Sequence, residues 1–122
     1  MKKQYRVKKS KEIEAILKYH KFSSNPYFTL YIKENHETNH FRYAMSVGKK
    51  IGNAVVRNKI KRQIRSIVRK LTIHSNYDVF IVAREKIKTI SYQKMETELL
   101  YLFKKQRLLV KGENNDSIYK QT

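Results

Sequence analysis

Between Glu37 and Asp78 the chain carries no acidic residue, yet Arg42, Lys49, Lys50, Arg57, Lys59, Lys61, Arg62, Arg65, Arg69 and Lys70 all fall in that stretch. Most of them sit on one apolar-periodic segment, 54–71. There Val56, Ile60, Ile64, Ile67 and Leu71 gather on one face of a helical wheel, and Asn58, Arg62, Arg65 and Arg69 gather opposite them. Arg57 and Lys61 flank one side. An ordinary solvated helix mixes charge signs, because opposite pairs at i,i+4 stabilise it and like pairs oppose it by about 0.2–0.5 kcal/mol each. A helix face of one sign therefore points to an external polyanion. Guanidinium groups suit phosphate in particular, since each forks two bonds to one group. Asn53 is placed to cap this helix. Its N-terminal N–H groups, with Lys49 and Lys50 in the turn ahead, add further anion-binding capacity.

Other motifs are weaker. His36-Glu37-Thr38-Asn39-His40 spells the H-E-x-x-H zinc-hydrolase pattern. That chemistry needs both histidines on one face of a stable helix, whereas these five residues fall in a polar loop between two predicted strands. Gly48-Lys49-Lys50-Ile51-Gly52 lacks the spacing and the terminal Lys-Ser/Thr of a nucleotide-binding loop. It is also one residue too long for the Gly-x-x-Gly clamp of KH domains. Glu12 and Glu14 point apart on a helix and make no acid/base pair. Tyr27, Phe28, Tyr31, Phe41 and Tyr43 either stack on single-stranded bases or fill the core. In an extended strand Phe28 and Leu30 share one face, and Tyr27, Thr29 and Tyr31 the other.

The elements that must position these groups fit into 122 residues, enough for one domain. With 28 Lys+Arg against 10 Asp+Glu the net charge is +18, and nucleic acid is the abundant polyanion that would neutralise it. A hydrophobic fraction of 40% separates the chain from a disordered basic tail. The absence of Cys removes thiol chemistry and thiolate-zinc sites, and no apolar run reaches the ~20 residues that span a bilayer. The expected location is cytoplasmic. Along the chain, residues 1–9 read as a basic arm, followed by a helix beginning at Ser10 and reaching about Lys21 with Ile13, Ile16 and Leu17 at helical spacing. The run 23–26 breaks it. Strands are predicted at 27–33, 41–47 and 77–83, the last apolar enough to be covered on both faces. Tyr92, Met95, Leu99, Leu102 and Phe103 mark a final amphipathic helix, and 111–122 a flexible tail. The order is α-β-β-(β)-α-β-α, an α+β two-layer α/β sandwich with helices packed on a mixed sheet, in one domain spanning 1–110.

From Ser46 through Gly48-Lys49-Lys50-Ile51-Gly52-Asn53-Ala54-Val55-Val56-Arg57-Asn58-Lys59-Ile60-Lys61-Arg62 to Arg65 the chain closely resembles the protein subunit of bacterial ribonuclease P. Arg57-Asn58-Lys59-x-Lys-Arg-x-x-Arg looks like that family's RNR motif. The basic N-terminus, the first helix, the run 28–31 and the strand ending in Ala83-Arg84 extend the resemblance over most of the chain. The resemblance implies a ribosomal protein S5 domain 2-like fold with a left-handed crossover, where the general handedness rule would give the opposite hand. It implies a protein cofactor of an RNA-catalysed endoribonuclease that removes the 5′ leader of precursor tRNA, with Mg²⁺ bound mainly by the RNA activating water. No residue of the protein would be catalytic or metal-ligating. Lys49, Lys50, Arg57, Asn58, Lys61, Arg62 and Arg65 would contact the ribonuclease P RNA. Ile13, Leu17, Phe28 and Tyr31 would line a cleft for the leader, with Arg42 and Ser46 at its floor or edge. One protein per RNA is implied, with a dimeric holoenzyme as the alternative. Ile13 and Leu17 stand where relatives often carry aromatics, and Gly48 where they commonly have Ser. Two rival readings are a structural RNA-binding protein of the ribosomal type and a self-contained metallohydrolase using His36, Glu37 and His40.

Overall fold

A computed structural model describes residues 7, 10–37 and 39–110. The basic arm, apart from Val7, and the tail 111–122 lie outside the described residues. Helix α1 (Ser10–Tyr19) carries Glu12 in its first turn and Lys18 in its last, both favourable to the helix dipole. It stops sooner than the apolar spacing predicts. His20 takes a left-handed conformation at φ 59° and donates its N–H back to the Leu17 carbonyl at 3.2 Å. The chain then turns directly into strand β1 (Lys21–Ser24), which pairs antiparallel with β2 (Phe28–Glu34). The turn between them is built on Asn25, whose side-chain oxygen accepts from the N–H groups of Tyr27 at 3.0 Å and Phe28 at 2.9 Å. The residues expected as a helix end and a breaker thus supply a short edge strand.

Strands β3 (Arg42–Ser46) and β4 (Tyr77–Ala83) complete a four-stranded sheet in the order β1-β2-β4-β3. β4 runs antiparallel to β2 and parallel to β3, so the sheet is mixed. A parallel pair needs a long crossover, and helix α2 (Ala54–Arg69) is that connection. Helix α3 (Tyr92–Lys105) closes the fold. The main core lies between the sheet and α2 and α3, where Phe28, Leu30, Val79 and Ile81 meet Ile60, Ile64, Leu99 and Phe103. This is the sandwich. The opposite face of the sheet carries a smaller cluster in which Ile16 of α1 and Val7 pack with Ala44 and Phe80. β4 is therefore covered on both faces, which accounts for its nearly unbroken apolar run.

The lead into α2 is specified residue by residue. A 3₁₀ turn (Lys49–Ile51) tucks Ile51 into the core, and the Asn53 side chain accepts from the Val56 N–H at 3.0 Å to cap the helix. Only the inner part of the predicted apolar stripe is covered: Ile60, Ile64, Ile67 and Val68 are buried, while Val56, in the first turn, remains 37% exposed. Gly52 is required by close approach, because a Cβ there would fall 2.9 Å from the Cβ and Cγ1 of Val56. At Gly48 a Cβ would meet nothing within 4 Å. Thermal unfolding should separate these positions. Asn53→Ala should cost about 1 kcal/mol, roughly 4 °C in Tm. Gly52→Ala should cost at least as much by displacing the first turn of α2. Gly48→Ser should leave Tm within about 1 °C. Equal Tm for the two glycine variants would contradict this account of the turn.

Candidate nucleic-acid interface

The core contacts of α2 fix which way its cations point. With Ile60, Ile64, Ile67 and Val68 turned inward, Asn58, Lys59, Arg62 and Arg69 are exposed, and Arg57, Lys61 and Arg65 are half-buried along the flanks. Lys49 and Lys50 are exposed on the turn ahead. Within the acid-free stretch, Arg42 pairs with Glu12 and Asp78, and Lys70 pairs with Glu96 at 2.8 Å. Among the described residues, none of Lys49, Lys50, Arg57, Lys59, Lys61, Arg62, Arg65 and Arg69 has a carboxylate within ion-pair distance. Arg57 instead donates from Nε to the Gly52 carbonyl at 3.1 Å, bracing the turn against the helix. The predicted RNA-contacting residues thus lie together on one turn and one helix, and their cations have no carboxylate partner among the described residues.

The predicted cleft residues divide between the two faces of the sheet. Tyr31, Arg42 and Ser46 lie on the α1 side, in register with Phe80, Asp78 and Val82 of β4, and Ile13 packs there while Leu17 is 36% exposed. Phe28 does not join them. It is 0% exposed in the main core beneath α2 and α3, because strand alternation places it opposite Tyr31. The ring that takes its place is Phe22, on β1 directly across from Tyr31 and 43% exposed. Phe22 and Tyr31 have centroids 5.3 Å apart, Tyr31 and Phe80 6.4 Å, and His20 meets Phe22 edge-on at 5.1 Å. A row of rings therefore runs from the sheet edge in toward α1. Sequence reasoning missed Phe22 because its strand was read as a helix end. Of the strand aromatics singled out, Tyr43 is also in the main core, and Tyr27 and Phe41 pack against it.

Arg42 lies on the same α1 face of the sheet, but its guanidinium is committed. It donates to both oxygens of Asp78, from Nε at 3.1 Å and from Nη2 at 2.8 Å, and also to Glu12 of α1. Asp78 is buried and accepts further bonds from Asn35 at 3.1 and 3.2 Å. The hydrogen bond to Asp78, reinforced by Glu12, raises the Arg42 pKa above its already high ordinary value. A raised pKa contributes stability below the unfolded value and loses it only above the folded one, so this link is constant across the working pH range. Arg42 ties α1 to the sheet. Arg42→Ala leaves Asp78 buried without its cation and should cost about 3 kcal/mol in chemical denaturation. Arg42→Lys should rescue little, since Lys cannot reproduce the fork. Loss of under 0.5 kcal/mol in Arg42→Ala would contradict a structural role.

His36, Glu37, Asn39 and His40 lie outside any helix. His36 faces Glu34 at 3.4 Å, and His40 Nδ1 is 3.1 Å from the Phe41 carbonyl. Among the described residues no group of three or more His, Asp or Glu is placed to hold a metal ion, and Glu12 and Asp78 are both engaged by Arg42. No helix among the described residues is long and apolar enough to cross a membrane.

Fold and surface together define a small, strongly basic α+β protein with one helix whose cations lack carboxylate partners among the described residues and, across the sheet, a row of aromatic rings. Known proteins narrow that class. The family model described as Ribonuclease P matches residues 1–107. A ribonuclease P protein component from Streptococcus pneumoniae (strain Hungary19A-6) is 40% identical over 118 residues, covering 95% of each chain. The solved ribonuclease P protein of Staphylococcus aureus aligns with a TM-score of 0.80 and 36% identity, covering 87% of this chain and 98% of that one. That of Thermotoga maritima aligns with a TM-score of 0.73 and 26% identity, covering 88% and 98%. The chain belongs to the ribonuclease P protein family. It is thus the protein component of an RNA-catalysed endoribonuclease, with a role in tRNA processing and ribonuclease P RNA as its partner.

Proposed function

We propose that α2 and the turn before it dock on the ribonuclease P RNA, while the groove between α1 and the sheet holds the 5′ leader of precursor tRNA. The observation that carries the first half is the set of cations from Lys49 to Arg69 that lack carboxylate partners among the described residues. Phosphates are their natural counter-charges, and each contact releases condensed counterions. The second half rests on Phe22, Tyr31 and Leu17, exposed or half-buried apolar groups on the side of the sheet away from α2. A single strand can stack there, whereas a duplex has no free base faces to offer. The groove lies across the sheet from the docking helix, so one protein bridges enzyme RNA and substrate. In this division of labour Mg²⁺ is held by the RNA and water attacks the phosphodiester, leaving a 5′ phosphate on the mature tRNA and a 3′ hydroxyl on the leader. The protein contributes binding and orientation. The stoichiometry proposed is one protein per RNA.

The reconstituted holoenzyme tests the leader assignment by equilibrium binding of precursor and mature forms of the same tRNA. The precursor is expected to bind more tightly. Equal affinity would overturn the assignment of the groove to the leader.

A further inference from the structure

A second recess lies on the α2 side of the sheet, away from the leader groove. Its volume is about 640 Å³, within the usual range for small-ligand sites. One wall is the loop before β3 and the start of that strand, contributing Phe41 and Tyr43. The other is the last half of α2, contributing Arg65 and Arg69, and the floor is the link from α2 to β4, with Thr72 and Ser75. The Phe41 and Tyr43 rings are stacked, with centroids 5.7 Å apart and planes 18° from parallel. Tyr43 is buried, so Phe41 is the more accessible ring. Every described lining residue falls between 39 and 75, inside the stretch that contains no Asp or Glu. Among the described residues the recess is therefore walled by flat apolar surface and rimmed by guanidinium groups, with no side-chain anion.

That combination fits one chemistry. A nucleotide has a flat π face for Phe41 and a phosphate for Arg65 and Arg69, which fork onto phosphate oxygens. Arg62, Arg65 and Arg69 follow one another at i, i+3 and i+7, so an RNA backbone tracked by the outer face of α2 arrives at this opening. We propose that the recess is a slot for one unpaired nucleotide of the ribonuclease P RNA, its base against Phe41 and its phosphate on Arg65 and Arg69. The slot refines the docking face proposed for α2 and rests on that reading. It also gives the RNA a shape-specific contact that a uniform phosphate track lacks.

The test is equilibrium binding of ribonuclease P RNA to the full chain across a salt series. Phe41→Leu keeps apolar bulk against the core but removes the ring, so it should weaken binding at least fivefold with an unchanged log–log salt slope. Phe41→Tyr should bind like wild type. Arg69→Ala should weaken binding and lower the slope by about 0.7–0.9. Wild-type affinity in Phe41→Leu would overturn the slot. If Phe41→Leu binds normally while Arg62→Ala weakens binding, only the slot fails. If neither variant changes affinity, the docking face fails with it.

Discussion

Replacing Arg62 and Arg65 together with alanine is expected to weaken binding of ribonuclease P RNA by about two orders of magnitude. Each guanidinium lost removes a charge-assisted bond to phosphate worth about 1.5 kcal/mol, and two such losses multiply to about 10²-fold. The same double variant should lower the slope of log affinity against log salt by about 1.4–1.8, since each phosphate contact contributes about 0.7–0.9. The structure indicates that the fold survives. Arg62 is exposed and Arg65 half-buried, and neither has a carboxylate partner among the described residues. Mutual repulsion along α2 should even ease, by a few tenths of a kcal/mol. Circular dichroism and Tm would verify that the loss is one of contacts. An unchanged slope would mean that these side chains do not touch phosphate in the complex.

The second large effect belongs to the leader groove. In the holoenzyme, Phe22→Ala is expected to cut the preference for precursor over mature tRNA by about tenfold, and Phe22→Ala with Tyr31→Ala to abolish most of it. Loss of stacking under one base is worth about 1–3 kcal/mol. Phe22 is the cleaner probe. It is 43% exposed on an edge strand, so its removal leaves no closed cavity, whereas Tyr31 also packs between Phe22 and Phe80. Affinity for mature tRNA, which has no leader, should stay unchanged in both variants. A parallel fall for both substrates would place these rings outside the leader path. Leu17→Phe, at a 36% exposed position of α1, offers a gain-of-function complement.

How far the molecule could be read in advance follows from which signals are local. The period-3.6 stripe of α2 and the bias of its outer face to one charge are written in adjacent residues, so the docking helix and its cations were legible. So was β4, whose covered faces require an apolar run. Phe28, which the family resemblance assigns to the cleft, lies in the main core, because its alternation with Leu30 sets it opposite Tyr31. β1 was hidden for a different reason. Its four residues have no periodicity of their own, and what converts a helix end into a strand is the left-handed turn at His20 together with pairing to β2. The commitment of Arg42 was not visible either, because Glu12 lies 30 positions before it and Asp78 lies 36 after it, and only the sheet register brings them together.

The central claim is that the protein supplies contacts to RNA and substrate while the RNA supplies the chemistry. The most direct test adds the full chain to a bacterial ribonuclease P RNA at a Mg²⁺ concentration too low for the RNA alone, with precursor tRNA as substrate. The predicted result is accurate 5′ cleavage that requires both components. No stimulation by the protein, or cleavage of the precursor by the protein without RNA, would contradict the claim.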